Sequence, residues 1–130
     1  DQDFRFGSIN IKQSFFLVKF LEDVGYSGPR HFDAHAYRTE HIEGVKDFAR
    51  GCMRTYLILK EKAARWNADK EIQAILKEIH SGSAPAVGSY SNDGVSKLLA
   101  YDFSRDKMAA KKLSYERLDQ LTIDLLLGAR

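Results

Sequence analysis

Two aspartates at the start of the chain are the first residues whose type and spacing suggest chemistry. Asp1 and Asp3 lie two positions apart. In an extended loop this spacing lets both carboxylates reach one hard cation, such as magnesium or manganese. Aspartate pairs are also common in solvated loops, so the pair alone leaves both interpretations open.

A second candidate cluster is formed by His31, Asp33 and His35, which alternate with apolar residues. The two-residue period of an extended chain puts these three on one face, and Phe32 and Ala34 on the other. Imidazole and carboxylate groups on one face are plausible ligands for a transition metal. A histidine–aspartate hydrogen bond at a strand end, with the polar face in water, explains the same pattern.

The elements that must position these residues are mostly helices. Apolar residues at three- and four-residue spacing predict helices over 9–23, 43–67, 69–80, 95–101, 105–111 and 115–127. Residues 30–36 are predicted as the extended segment, and residues 81–94, rich in Gly, Ser and Ala, as a surface loop. The predicted fold class is mostly α with one short strand. Because one strand cannot form a sheet, its partners must come from another chain or from missing sequence.

The apolar positions of the two longest amphipathic stretches predict the buried faces. In the first helix these are Ile11, Phe15, Val18 and Leu21, with Phe16, Leu17 and Phe20 widening the stripe. In the second they are Val45, Phe48, Cys52, Tyr56, Leu59, Ala63 and Trp66. Both helices are therefore expected to pack one broad side against other parts of the protein.

Capping residues predict where these helices begin and end. Ser8 or Asn10 is expected to cap the first helix, and Gly25 to supply a left-handed residue at its end. Thr39 is predicted as the N-cap of the long helix, and Asp69 as the N-cap of the next one.

Composition excludes several classes of function. The 130 residues fit one domain, and 20 basic against 18 acidic residues, scattered among each other, argue against a nucleic-acid partner. No apolar run is long enough to span a membrane, and we expect a cytoplasmic protein. Cys52 has no partner for a disulfide and is expected to be a small buried hydrophobe in a reducing compartment. The sequence contains no phosphate-binding glycine loop, Cys-x-x-Cys motif or nucleophile elbow.

Six segments closely resemble the C-terminal third of the shorter class of bacterial xylose (glucose) isomerases, in the same order. They read DQDFRFG at 1–7, YSGPRHFD at 26–33, RTE at 38–40, GCMRTYLILKE at 51–61, ERLDQL at 116–121 and LLGAR at 126–130. Only residues 81–112 are loosely matched. The abrupt start on Asp1 agrees with the expectation that this chain is a piece of a longer one.

The resemblance implies the last portion of a (β/α)8 TIM barrel followed by a C-terminal helical arm. Such enzymes interconvert D-xylose and D-xylulose, or D-glucose and D-fructose, by a metal-assisted hydride shift. The resemblance also implies two divalent cations (Mg²⁺, Mn²⁺ or Co²⁺), with Asp1 and Asp3 on one and Asp33 on the other. His31 and His35 would then lie beside these ligands. Asp33 would stand at the C-terminal end of the last barrel strand, where such barrels hold their active sites.

By the same resemblance, residues 1–80 are the last barrel elements and residues 81–130 are an arm that contacts other subunits of a homotetramer. We expect activity on an aldose sugar only together with the missing N-terminal barrel portion, and an inactive isolated chain. The alternative is a non-catalytic helical fragment that self-associates or binds partner chains through its apolar helix faces.

One departure from the family pattern concerns the candidate site itself. The family usually has a lysine two residues after the aspartate and then a proline, whereas His35 and Ala36 stand at these positions. Without the fixed positive charge, the metal carboxylates would repel one another more strongly unless a proton or a metal compensates. His35 can supply that proton, provide a new ligand, or be a tolerated variant.

Overall fold

The computed structural model describes residues 4–130 and shows an all-helical chain. Its helices are α1 (Ile11–Asp23), α2 (Ile42–Ala68), α3 (Lys70–Gly82), α4 (Asn92–Ala100), α5 (Arg105–Ala110) and α6 (Tyr115–Leu127). Over this part of the chain, no helix has the length and apolar content needed to cross a membrane.

The chain divides into two compact units between Asn67 and Ala68. The first unit contains α1, the extended segment and all but the last residue of α2, and the second contains α3 to α6. The assignment of residues 1–80 to a barrel and 81–130 to an arm stays a prediction.

The ends of α1 agree with the sequence prediction. Of the two candidates for the cap, Asn10 is the N-cap, and its side-chain oxygen accepts a hydrogen bond of 3.0 Å from the backbone N–H of Gln13. At the other end Gly25 has a φ of 65°, and its N–H donates to the Glu22 carbonyl at 3.1 Å. A left-handed residue here satisfies a carbonyl that the helix leaves unpaired.

The buried face of α1 is narrower than predicted. Phe15 and Val18 are fully buried, whereas Phe16, Leu17 and Phe20 are 41%, 53% and 62% exposed. The edge of the Phe16 ring meets Trp66 of α2, with ring centroids 6.5 Å apart. Within the described part of this unit, the opposite side of α1 has no element that covers it.

Helix α2 has the predicted buried stripe over its last two thirds. The buried residues are Cys52, Tyr56, Leu59, Ala63 and Trp66. The first two predicted positions do not belong to the core, since Val45 is 42% exposed and Phe48 is only half-buried. Cys52 is 1% exposed, as expected for a small buried hydrophobe.

The predicted N-cap of α2, Thr39, is wrong. The helix begins at Ile42, three residues later. The backbone N–H of Glu40 donates to the Tyr37 carbonyl at 2.9 Å, which closes a turn before the helix. The Glu40 carboxylate then accepts from the N–H of His41 at 3.1 Å, so an acidic side chain takes up a donor next to the helix start.

The predicted strand over residues 30–36 is also wrong, because residues 4–130 contain no strand. The segment is extended, but no backbone hydrogen bond joins it to another described segment. A strand is defined by pairing, and the described residues of this unit offer no second strand.

The second unit has its core where α3 and α6 pack against each other. Ile72, Ile75 and Ile79 are buried on α3, and Leu121 and Leu125 on α6, in agreement with the predicted apolar spacing. The predicted loop is shorter than 81–94, since α3 runs to Gly82 and α4 begins at Asn92.

An ion-pair network joins the start of α3 to the end of the chain. The predicted N-cap Asp69 accepts 3.0 Å hydrogen bonds from the N–H groups of Glu71 and Ile72. Arg130 donates to Asp69 at 3.0 Å and to Glu71 at 2.8 Å, and Arg117 donates to Glu71 at 2.7 Å. Mainly through its hydrogen bond to Arg130, the pKa of Asp69 falls from 3.8 to about 2.

We predict that Leu121→Ala destabilises the second unit by about 2–5 kcal/mol, because it removes a fully buried side chain and leaves a cavity. Leu127→Ala is the matched control on the same helix, since Leu127 is 79% exposed. Urea unfolding followed by circular dichroism measures both variants. Equal losses would contradict the packing of α6.

We predict that Arg130→Gln lowers the free energy of unfolding at neutral pH and raises the pKa of Asp69 towards 3.8, because the hydrogen bond that holds this pKa down is lost. A depressed carboxyl pKa stabilises the fold above the unfolded value and loses that effect as the pH falls towards about 2. The free energies of unfolding of the unmodified chain and of Arg130→Gln should therefore approach each other as the pH falls from 3.8 towards about 2. Urea titrations at several pH values measure this, and a constant difference down to the lowest pH would contradict the ion pair.

Candidate functional site

The extended segment that carries the candidate ligands alternates in exposure as the sequence predicted. His31, Asp33 and His35 are exposed, whereas the residues between them, Phe32 and Ala34, are half-buried. The two-residue period is thus present although no partner strand enforces it in the described chain. The polar face of the segment is open, and its apolar face lies against the helices.

Three aromatic rings form the layer under this segment. Phe32 lies 5.3 Å from Phe6 and 6.5 Å from Tyr56, measured between ring centroids, and Phe6 lies 6.4 Å from Tyr56. Tilted and edge-on rings at these separations attract one another beyond the effect of burial alone. The cluster therefore fixes the apolar side of the segment on α2, which carries Tyr56.

Arg30 fixes the polar start of the segment. Its guanidinium donates to the carbonyls of Gly28 and Tyr26, both at 2.6 Å, and to the Tyr56 hydroxyl at 2.9 Å. A fourth, longer hydrogen bond of 3.3 Å reaches the Glu22 carboxylate. One side chain thus joins its own turn to both helices of the unit.

Glu22 is the acceptor at the centre of this network. It accepts from the Tyr56 hydroxyl at 2.7 Å and from the Lys60 ammonium at 2.8 Å, in addition to Arg30. The hydrogen bonds from Lys60 and Tyr56 hold the pKa of the Glu22 carboxyl below its ordinary value of 4.5. The Glu22 carboxylate is therefore charged at neutral pH.

The turn before Arg30 depends on a glycine. A Cβ added to Gly28 would lie 2.3 Å from the Tyr26 hydroxyl, because the tyrosine side chain lies across the turn. The Tyr26 hydroxyl donates to the Pro29 carbonyl at 3.3 Å, and the Arg30 guanidinium lies 4.9 Å above the Tyr26 ring. A side chain at position 28 would displace this ring and the cation stacked on it.

His31 and Asp33 lie on the same depression, which has a volume of about 390 Å³. Its remaining wall is mainly apolar and includes Leu17, Phe32 and Tyr56. The structure therefore brings together two of the three residues that the sequence placed on one face. The third, His35, lines a second depression of about 580 Å³, with Arg38 and His41.

The ring of His35 contacts the backbone of the next residue. Its Nδ1 lies 2.7 Å from the Ala36 carbonyl oxygen. A carbonyl oxygen only accepts hydrogen bonds, so Nδ1 carries the proton and donates it. In the neutral ring Nε2 is then the nitrogen with a lone pair.

Asp33 fits the role of one ligand to a hard cation. Its side chain is exposed, and the structure gives its carboxylate no hydrogen bond or ion pair among residues 4–130. A complete site is not present in this part of the chain, where no three His, Cys, Asp or Glu side chains could hold a metal together. Asp1 and Asp3 lie outside the described residues, so their predicted role stays a prediction.

The residues that hold the segment were missed by the sequence analysis. The sequence analysis placed Glu22 only within an amphipathic helix, and Arg30 only as the first residue of the extended segment. A signal was available in Tyr56, because a tyrosine on the buried stripe of a helix needs a partner for its hydroxyl. That signal says that a partner exists, but it does not say which residue provides it.

No protein-family model matches the chain. Three curated relatives are described as xylose isomerases. That of Thermus thermophilus is 49% identical over 133 residues, that of Thermus caldophilus 47% over 133 residues, and that of Streptomyces lividans 45% over 137 residues. Each comparison covers 100% of this chain and 34% of the relative, so the chain spans about a third of the length of the relatives it matches. Along its whole length, the chain is therefore similar to the C-terminal third of these xylose isomerases.

Proposed function

We propose that this chain supplies the C-terminal part of a metal-dependent aldose–ketose isomerase that converts D-xylose to D-xylulose and D-glucose to D-fructose. The observation that carries the proposal is the 45–49% identity to xylose isomerases over the whole chain. Since the match covers 34% of each relative, activity would require the remaining barrel elements.

In this proposal Asp33 binds one divalent cation, and Asp1 and Asp3 bind another. Divalent cations bound here would act as Lewis acids on the sugar oxygens. The carboxylate of Asp33, which is exposed and has no partner among residues 4–130, supports this role. His31 lines the same depression, which supports a place beside that cation, whereas His35 lines the second one.

The proposal includes residues 1–80 as the last elements of a barrel, and a homotetramer to which residues 81–130 contribute contacts. Large apolar side chains of α1 and α2, including Leu17, Phe20, Met53 and Leu57, are more than half exposed. Such surface is normally covered by further protein. The same observation favours the second candidate, a non-catalytic helical fragment that self-associates through these faces.

We predict that Asp33→Asn weakens Mn²⁺ binding by at least about tenfold in a hybrid in which this chain replaces the matching third of the Thermus thermophilus relative, because a charged ligand is lost. Electron paramagnetic resonance of free Mn²⁺ measures the affinity. Asp93→Asn is the control, since Asp93 is an exposed aspartate that pairs with Lys97 on α4. Unchanged affinity in Asp33→Asn would remove Asp33 from the site.

We predict that the 130-residue chain alone converts no xylose to xylulose when magnesium or manganese is added, whereas the hybrid does. The match covers about a third of each relative, so in this proposal the remaining two thirds supply groups that the reaction needs. Conversion by the chain alone would overturn this view. An inactive but folded hybrid, together with a chain that sediments well above 14.8 kDa, would favour the self-associating fragment.

A further inference from the structure

We propose that Arg30 is a positioning residue: its guanidinium sets the path of the extended segment and thereby holds Asp33 in place for its cation. The part of the inference that concerns the cation rests on the proposed function. The part that concerns the path of the chain rests only on the contacts of the first unit.

Within the described chain, side-chain contacts are what hold the segment, because its predicted barrel partners lie outside these residues. Between residues 30 and 36 no backbone hydrogen bond to another described segment is present. The aromatic contacts of Phe32 hold the apolar face, but rings in contact permit sliding because they impose little directional constraint. Directional hydrogen bonds are therefore needed to fix where the segment starts.

Arg30 provides these directional contacts from a rigid planar group. It binds two carbonyls of its own turn and, on α2, the Tyr56 hydroxyl. The Glu22 carboxylate on α1 binds the same guanidinium and the same hydroxyl, so the three side chains form a closed triangle. A lysine ammonium at this position keeps the charge but cannot donate in the fixed planar geometry with which the guanidinium reaches several acceptors at once.

The distance to the candidate ligand is short. Asp33 follows Arg30 by three residues, a span of at most about 10 Å in an extended chain. Because the ring contacts of Phe32, which lies between them, permit sliding, a shift of the Arg30 end would be transmitted to Asp33. Displacing a metal ligand by about 1 Å is enough to reduce binding and catalysis markedly.

The first experiment measures the path of the segment in the 130-residue chain itself. Trypsin cleaves after arginine, and we expect the bond between Arg30 and His31 to be protected because the Arg30 side chain is engaged by its partners. Tyr56→Phe and Glu22→Gln should each raise the rate of cleavage after Arg30 roughly tenfold. Fragments are quantified by mass spectrometry, and cleavage after Arg54, within α2, reports any general unfolding.

The second experiment measures the consequence for the cation in the hybrid. Arg30→Lys should weaken Mn²⁺ binding about tenfold to hundredfold while the melting temperature changes little. Arg50→Lys is the matched control. Arg50 lies on the exposed side of α2 and forms an ion pair with Asp47, which is one turn away on the same helix. Isomerase activity of the hybrid is a second readout, which should fall with the affinity.

The outcomes separate the inference from the proposed function. If Asp33→Asn weakens Mn²⁺ binding but Arg30→Lys leaves it unchanged, the positioning role of Arg30 is wrong and the function stands. If Asp33→Asn has no effect, the metal assignment fails, and the proteolysis result alone decides whether Arg30 fixes the segment. Cleavage rates after Arg30 and Arg54 that rise in parallel would show a merely structural role and overturn the inference.

Discussion

The hydrogen bond between the Tyr56 hydroxyl and Glu22 is the contact on which the first unit depends. Tyr56 is 9% exposed, and an unpaired hydroxyl at that depth would carry a desolvation cost. Glu22 removes that cost and, being charged, makes the 2.7 Å hydrogen bond stronger than one between neutral groups. The same pair then attracts Arg30 and Lys60, so α1, α2 and the extended segment share one polar junction.

The junction matters because the hydrophobic core of this unit is small. On α1 only Phe15 and Val18 are buried, and several large apolar side chains on both helices remain exposed. Burial stabilises in proportion to the area removed from water, so a core of this size contributes little by itself. The polar junction and the aromatic cluster around Phe32 therefore carry more of the structure than they would in a complete domain.

Local sequence signals predicted the helices well and the long-range contacts poorly. The spacing of Ile72, Ile75 and Ile79 and the cap at Asp69 act within one helix, and both are confirmed. The prediction of a strand over residues 30–36 failed, because strand pairing depends on residues far away in sequence, which the local alternation does not report. Alternation of exposure around Asp33 did follow from the local pattern, whereas the roles of Glu22 and Arg30 required contacts 8 to 34 residues apart.

The metal site proposed around Asp33 is consistent with the same physics. A free carboxylate on an exposed face costs nothing while water solvates it, so it needs no partner within the described chain. Bringing further carboxylates to it would cost electrostatic repulsion unless a cation is bound. A segment that presents one ligand on a directionally fixed backbone, and leaves the other ligands to separate elements, avoids that repulsion until the metal and the remaining elements are assembled. In the proposed enzyme, Arg30 and Phe32 would hold the segment in place before the remaining ligands join it.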